Sequence, residues 1–278
     1  MFIENSHINS IKRRFIALVT DYGYKDPYVG VVKSVIKTIN PYVEIIDLTH
    51  DVNRHDVLEA AIILLVSAKY FPRKTIFMCI VDPDVGSERK ALLIQTRNYY
   101  LIGPDNGCLT LLAQQDGIVK IFDISSSKYA LAERSHTFHG RDVFAPVSAY
   151  LSLGIEPELL GIPISINEIK LLDFKKPIVR NNIIEAEAIY IDIFGNIMTN
   201  ISSELVSELN INTGDLLKIN INNKIFNCKF VKYFSQVNPG QYACYINSWN
   251  YFEIAINRGN AARELGVNRG DKVLVEFK

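Results

Sequence analysis

Cysteine is sparse: the 278-residue chain holds four, Cys79, Cys108, Cys228 and Cys244, with no CxxC pair and no Cys/His spacing between them. That pattern excludes a thiolate zinc site and a dithiol redox motif as readings of the sequence. Cys79 and Cys228 stand inside apolar strand patterns, where a thiol behaves as a small hydrophobe. Without a disulfide framework, a reducing, cytoplasmic compartment is the expectation. Net charge is also missing, because 30 Lys and Arg balance 30 Asp and Glu. Nucleic acid or an anionic membrane demands a basic excess, so neither is expected as a partner. No apolar run is long enough to span a bilayer, and the opening MFIENSHINSIKRRF lacks the apolar centre of a signal peptide. Neither GxGxxG nor GxxxxGK[ST] occurs, so a pyrophosphate cradle is not expected.

What is there is a globular balance, 48% apolar and 22% charged, with two kinds of patterning along it. Strand-like and helix-like segments alternate first. FIALVTD, VEIIDLTH and TIFMCIVD read as buried strands, while PYVGVVKSVIKTIN and DVLEAAIILLVSAKYF carry helical spacing and stop at prolines. ALLIQT, YYLIGPDNG and a helix over VFAPVSAYLSLG follow. The expectation is an α/β domain over 15–174 with a mostly parallel central sheet. Ligands of such sheets bind at the carboxyl ends of strands, so Asp21, Asp82 and Asp105 are expected to converge. Beyond LLDFKKPIVRNN the segments are short, β-branched and aromatic, separated by Gly, Asn and Asp turns. They predict a smaller antiparallel β-barrel over 183–278, joined by a linker at 175–182. Residues 1–14, with the basic cluster Lys12-Arg13-Arg14, are expected to be a disordered extension with a solvated tail.

Several polar groups stand at loop positions suited to chemistry. Asp21, in TDYGYKDPYVG, is either an acceptor for vicinal hydroxyls or a turn carboxylate. Asp82 and Arg89 bracket the turn in VDPDVGSERK and can be a structural ion pair. His139, in FHGRD, adds a third member that together with them could fix and polarise one water. GPDNG is a strong turn signal. DIFGN can be a barrel corner or, through Phe194 and Asn196, an aromatic face and an amide for a ligand. RGNAA resembles a helix N-terminus capped by Asn260.

As an ordered set, TDYGYKDPYVGVVK, VDPDVGSERK, GPDNG, FHGRDVFAP, DIFGNIMTNI and RGNAARELG closely resemble the S-adenosylmethionine hydroxide adenosyltransferase family, relatives of fluorinating and chlorinating enzymes that use the same substrate. The resemblance covers nearly the whole chain after the first 14 or so residues. It implies cleavage of S-adenosyl-L-methionine by water or hydroxide into adenosine and L-methionine, with no metal and no cofactor beyond the substrate. It also implies a homotrimer whose sites lie between the α/β domain of one subunit and the barrel of the next. On the motif positions, Asp82, Arg89 and His139 look like the water-activating set and Asp21 like the ribose-diol acceptor. Phe194 and Asn196 look like adenosine contacts, Asn260 and Ala261 like readers of the adenine edge, and Ser248 and Asp192 like methionine contacts. The chain departs from the pattern at Asp84, where glycine is frequent, and at Trp249, where a smaller residue or arginine is usual. Three other readings compete: a halogenase of the same fold, a binding protein without turnover, and a metal-dependent hydrolase using Asp21, Asp82 and His139.

Overall fold

A strand buried on both faces reads as an unbroken apolar run, and FIALVT is one. It forms β1 (Phe15–Thr20) in the computed structural model, which describes residues 14–278. Ile16 and Leu18 join one core, Ala17 and Val19 the core on the opposite face. Then follow α1 (Tyr28–Ile39), β2 (Glu44–Thr49), α2 (Val57–Ser67), β3 (Ile76–Ile80), β4 (Ala91–Thr96), β5 (Tyr100–Pro104), α3 (Thr110–Asp116), β6 (Ile118–Asp123), α4 (Ala145–Ser152), α5 (Pro157–Leu160) and β7 (Ile162–Ile164). α2 starts where Asp56 accepts the Glu59 N–H at 2.8 Å. The extension expected over 1–14 lies outside the described residues except for Arg14. That residue does not behave as a solvated tail: its guanidinium bonds the Leu151 carbonyl and lies 5.7 Å from the Tyr100 ring centre.

The seven strands form one sheet in the order β2-β1-β3-β5-β4-β6-β7. β2, β1, β3 and β5 are mutually parallel, while β4 and β7 run against their neighbours, so the sheet is mostly parallel by strand direction. α1 and α4 pack together on one face, α2 and α3 on the other. From β1 the chain moves outward to β2 and then returns to the far side of β1 as β3. The carboxyl ends of β1 and β3 therefore flank a topological switch point, the crevice where open α/β sheets bind ligands. Asp21 directly follows β1, and Asp82 comes two residues after β3.

The chain divides between Asp173 and Phe174. The second unit contains β8 (Ile178–Arg180), β9 (Ile183–Ile191), β10 (Ile197–Ser202), α6 (Ser203–Glu208), β11 (Leu216–Ile221), β12 (Lys224–Phe230), β13 (Tyr242–Ile246), β14 (Tyr251–Ile256), α7 (Ala261–Leu265) and β15 (Lys272–Glu276). β8 lies within the stretch expected as a linker and pairs with β9. Seven strands close a barrel in the ring β10-β14-β13-β12-β11-β15-β9, because β9 is long enough to pair with β15 along its first half and β10 along its second. A ring of strands needs an even number of antiparallel ladders. With seven strands, at least one ladder must be parallel, and it is β12–β13. The barrel is antiparallel everywhere else. Fully buried Phe252, Ile254, Val273 and Val275 help to fill it, each burial contributing about 1.5–3 kcal/mol.

Candidate active site

The turn after β3 brings two distant charges together. Arg89 Nε donates to Asp82 Oδ1 at 2.7 Å and Nη2 donates to Oδ2, a bidentate pair whose side chains are 3% and 7% exposed. The second N–H of Nη2 reaches His139 Nδ1 at 3.0 Å, and Nη1 donates to the Lys90 carbonyl at 3.2 Å. The Phe144 ring centre lies 5.6 Å from the guanidinium. Arginine carries only donors, so His139 Nδ1 must accept, which places the imidazole proton on Nε2. Burial first, and the Arg89 charge second, hold the His139 pKa below its ordinary value against the pull of Asp82 and Asp142. The neutral form that Arg89 requires is the form that this environment favours.

Backbone bracing fixes this trio. Asn106, from GPDNG, donates Nδ2 to the Val81 carbonyl at 2.7 Å. Gly86 has φ +84° and leaves no room for a Cβ, which would sit 2.2 Å from the His136 carbonyl oxygen. Gly140 follows His139 at the start of a π-helical turn, where a Cβ would meet the Tyr22 hydroxyl at 2.4 Å. In FHGRD, Asp142 is wholly buried and takes Arg141 Nε at 2.5 Å and the Ser135 N–H at 2.7 Å, so Arg141 and Asp142 build the loop.

Asp21 and Asp82 open onto one cleft of about 310 Å³ with His139, Tyr22, Phe138 and His55 on its walls. Asp21 Oδ2 accepts the His55 N–H at 3.0 Å. The Tyr22 hydroxyl is held in its neutral form by burial and by the Asp21 and Asp82 charges. Tyr22, Tyr28 and Phe138 pack edge to face or tilted at 5.2–6.0 Å. Asp105 does not join them, contrary to the expectation from strand ends. Its Oδ1 accepts the Lys170 N–H at 2.8 Å and its own N–H bonds the Lys90 carbonyl at 2.9 Å, so it is a buried brace whose pKa burial raises.

The barrel unit has its own cleft, of about 830 Å³, lined by Asp192, Phe194, Asn196, Ser248 and Trp249 among others. Asp192 builds the DIFGN corner: Oδ1 accepts the N–H groups of Phe194 and Asn196 at 2.9 and 2.8 Å, and Oδ2 accepts Asn196 Nδ2 at 2.8 Å. That corner holds Phe194 72% exposed. Gly195, at φ +82°, makes room for Asn260, whose amide atoms would lie 2.1–2.3 Å from a Cβ there. Asn260 Oδ1 caps α7 by accepting the Arg263 N–H at 2.7 Å. Ala261 is completely buried in the barrel core and is not part of the cleft wall. Trp249 packs on Tyr190 with ring centres 5.5 Å apart.

Residues that the motifs did not single out include Tyr22 and Phe138, each adjacent in sequence to a predicted site residue. Tyr245, Asn247 and Glu253 also line the barrel cleft. Glu253 gave no signal, because one Glu in YFEIAI reads as a solvent-facing strand position.

An α/β sheet with an Asp–Arg–His cluster at its switch point, followed by a closed barrel, defines a two-domain protein of the α/β-plus-barrel class. The chain belongs to the S-adenosylmethionine hydroxide adenosyltransferase family, whose N-terminal domain model matches residues 16–161 and whose C-terminal domain model matches residues 186–274. It is 37% identical to an (R)-S-adenosyl-L-methionine hydrolase of Methanocaldococcus jannaschii, over 94% of this chain and 95% of that protein. A hydrolase of the same name from Thermus thermophilus is 33% identical, over 92% and 97%. A fluorinase of an Actinoplanes species is 26% identical, over 94% and 96%. Among solved structures, an uncharacterized conserved protein of Thermotoga maritima superposes with a TM-score of 0.90 at 37% identity, covering 94% of this chain and 99% of that one.

Proposed function

We propose that the chain hydrolyses S-adenosyl-L-methionine, with water attacking the ribose 5′ carbon to give adenosine and L-methionine. The observation that carries this reading is the meeting of Asp82, Arg89 and His139 beside a cleft that also holds Asp21. The relatives named as hydrolases support it.

The leaving group departs from a sulfonium as a neutral thioether and needs no proton, so the chemical burden falls on the nucleophile. Bulk water has a pKa near 15.7. Asp82 keeps lone pairs beyond the two that Arg89 occupies, so it can accept a proton from the attacking water. His139, protonated on Nε2, donates to that water's oxygen and orients it. Arg89 keeps Asp82 in place and keeps His139 a donor on its cleft side. The sulfonium charge vanishes as the C–S bond breaks, and one proton leaves with the products. In-line positioning supplies about 7–11 kcal/mol in well-oriented intramolecular reactions. A carboxylate facing the nucleophile position also selects water over halide, since two like charges 4 Å apart repel by about 4 kcal/mol at an effective dielectric near 20.

Asp21 takes the ribose diol with Oδ1. In the barrel cleft, Phe194 offers an exposed face to the adenine and Asn196 borders it. Asn260 contributes by holding the DIFGN corner, and Ser248 with Trp249 borders the methionine end. A homotrimer in which one subunit's α/β unit and a neighbour's barrel share one substrate belongs to the same proposal, as do metal independence and a cytoplasmic location. Among the described residues no group of three or more His, Cys, Asp and Glu is placed to hold a metal, and no helix is long and apolar enough to cross a membrane.

The test is incubation with the (R) and (S) sulfonium epimers of the substrate, with and without EDTA, following products by chromatography. Equal release of adenosine and methionine, unchanged by EDTA, is expected, with the (R) epimer preferred as in the relatives' names. Tight binding without products would make the chain a binder. A chlorinated nucleoside appearing only with chloride would make it a halogenase, and loss of activity in EDTA would require a metal.

A further inference from the structure

Glu253, on β14, is 7% exposed and directly opposite Tyr245 on β13. A buried carboxylate is costly unless its lone pairs are answered. Here two neutral donors answer them: the Tyr245 hydroxyl bonds Oε1, and Asn247 Nδ2 bonds Oε2 at 2.7 Å. Because Asn247 must turn its NH2 toward Glu253, its Oδ1 faces the other way. There it accepts the N–H groups of Trp249 and Tyr251 at 3.0 and 3.1 Å. With the amide reversed, an oxygen would face the carboxylate and an NH2 would face two donors. The same turn is closed by Asn247 N–H to the Tyr251 carbonyl at 2.9 Å, with Asn250 at φ 67°. Its tip carries Ser248 and Trp249, which border the barrel cleft. The other arm, Tyr245, packs edge to face on Phe234 at 5.0 Å, so one carboxylate ties together two walls of that cleft.

We propose that Glu253 is a positioning residue: through Asn247 it sets the 247–251 turn, and so the shape of the wall that Ser248 and Trp249 present to the substrate. The inference rests on the reading above that this cleft holds part of S-adenosylmethionine. It predicts an effect on substrate binding more than on the chemical step, because what Glu253 sets is a wall of the barrel cleft and not the proposed water-activating trio.

Three variants test it by steady-state kinetics and by emission of Trp249, the chain's one tryptophan. Glu253→Met removes the acceptor. Asn247→Asp turns a second carboxylate onto Glu253. The pair Asn247→Asp/Glu253→Gln restores the bonding with donor and acceptor exchanged: the amide introduced on β14 donates to the carboxylate introduced in the turn, which still accepts from Trp249 and Tyr251. Losing a hydrogen bond to a charged group is worth about tenfold in affinity or more. Each single variant should therefore raise KM about tenfold with kcat changed less than about threefold, and the pair should return KM to within about threefold of the parent. Emission without substrate should shift in both single variants and return in the pair. KM within about twofold of the parent in Glu253→Met, a pair no better than Asn247→Asp, or a loss confined to kcat would overturn the proposal. If Glu253→Met does not fold, the other two variants decide. If the parent does not turn over S-adenosylmethionine, the proposed function fails and the emission arm still judges Glu253: emission unmoved across the variants would reject it.

Discussion

Arg89 Nη2 lies 3.0 Å from His139 Nδ1 and bonds Asp82 Oδ2 with its other hydrogen. One nitrogen thus fixes both the place of a carboxylate and the tautomer of an imidazole. Arg89 is therefore a joint whose replacement affects two partners at once. Arg89→Lys keeps the charge and loses the fork. Turnover is expected to fall about a hundredfold or more, the scale of a displaced acid–base group. Arg89→Ala leaves Asp82 buried and unpaired, which costs about 3–5 kcal/mol and should appear as a lower Tm by calorimetry.

Asp82 and Asp21 line the same cleft, and the proposed mechanism gives them different tasks. Asp82→Asn keeps the shape, removes the proton acceptor and should cut kcat by about 10²–10⁴ while substrate affinity changes little. Asp21→Asn should raise the adenosine Kd about tenfold, measured by calorimetric titration, with a smaller effect on kcat. Equal effects of the two variants on binding would contradict the division of roles.

The pH dependence follows from His139. Its folded pKa is depressed, first by burial and then by Arg89. The neutral, Arg89-accepting form is complete above the ordinary histidine value of about 6.5, and is lost only as pH falls through the lower folded value. Turnover should be insensitive to His139 between about pH 7 and 8, with any acid limb due to it below about 6.5. A rate profile with a histidine-like step above that value, abolished in His139→Gln, would contradict this. His139→Gln, which can still accept from Arg89 and donate toward water, should retain more turnover than His139→Ala.

Gly195→Ala asks a residue at φ +82° to carry a Cβ that would lie 2.1 Å from the Asn260 amide. Backbone strain and loss of the α7 cap should cost about 2–4 kcal/mol together, seen as a lower Tm. Adenosine affinity should fall with it, because the same corner carries Phe194.

The alternating half of the fold was legible because β1 and β3 are buried on both faces and so read as unbroken apolar runs. The barrel was legible from its short β-branched segments and turns. Its parallel β12–β13 ladder was not, since strand polarity is decided by the long connection over 231–241 and by the parity of the ring. Asp82, Arg89 and His139 could be named from loop motifs, and the folded chain puts them in contact. Asp105 misled, because a carboxylate at a strand end can serve a neighbouring backbone N–H as readily as a ligand. The burial of Ala261 was not legible for another reason: its position in RGNAA says nothing of the barrel core that encloses its side chain. Glu253 was invisible because its role depends on which way the Asn247 amide turns, a fact of geometry and not of residue type.

The most direct test of the central claim is turnover in water enriched in heavy oxygen, with mass spectrometry of both products. Attack at the ribose 5′ carbon predicts one heavy oxygen in adenosine, on the 5′ hydroxyl, and none in methionine, with labelled adenosine formed about 10²–10⁴ times more slowly by Asp82→Asn. Adenosine formed without the label, or formed at an unchanged rate by that variant, would contradict the account.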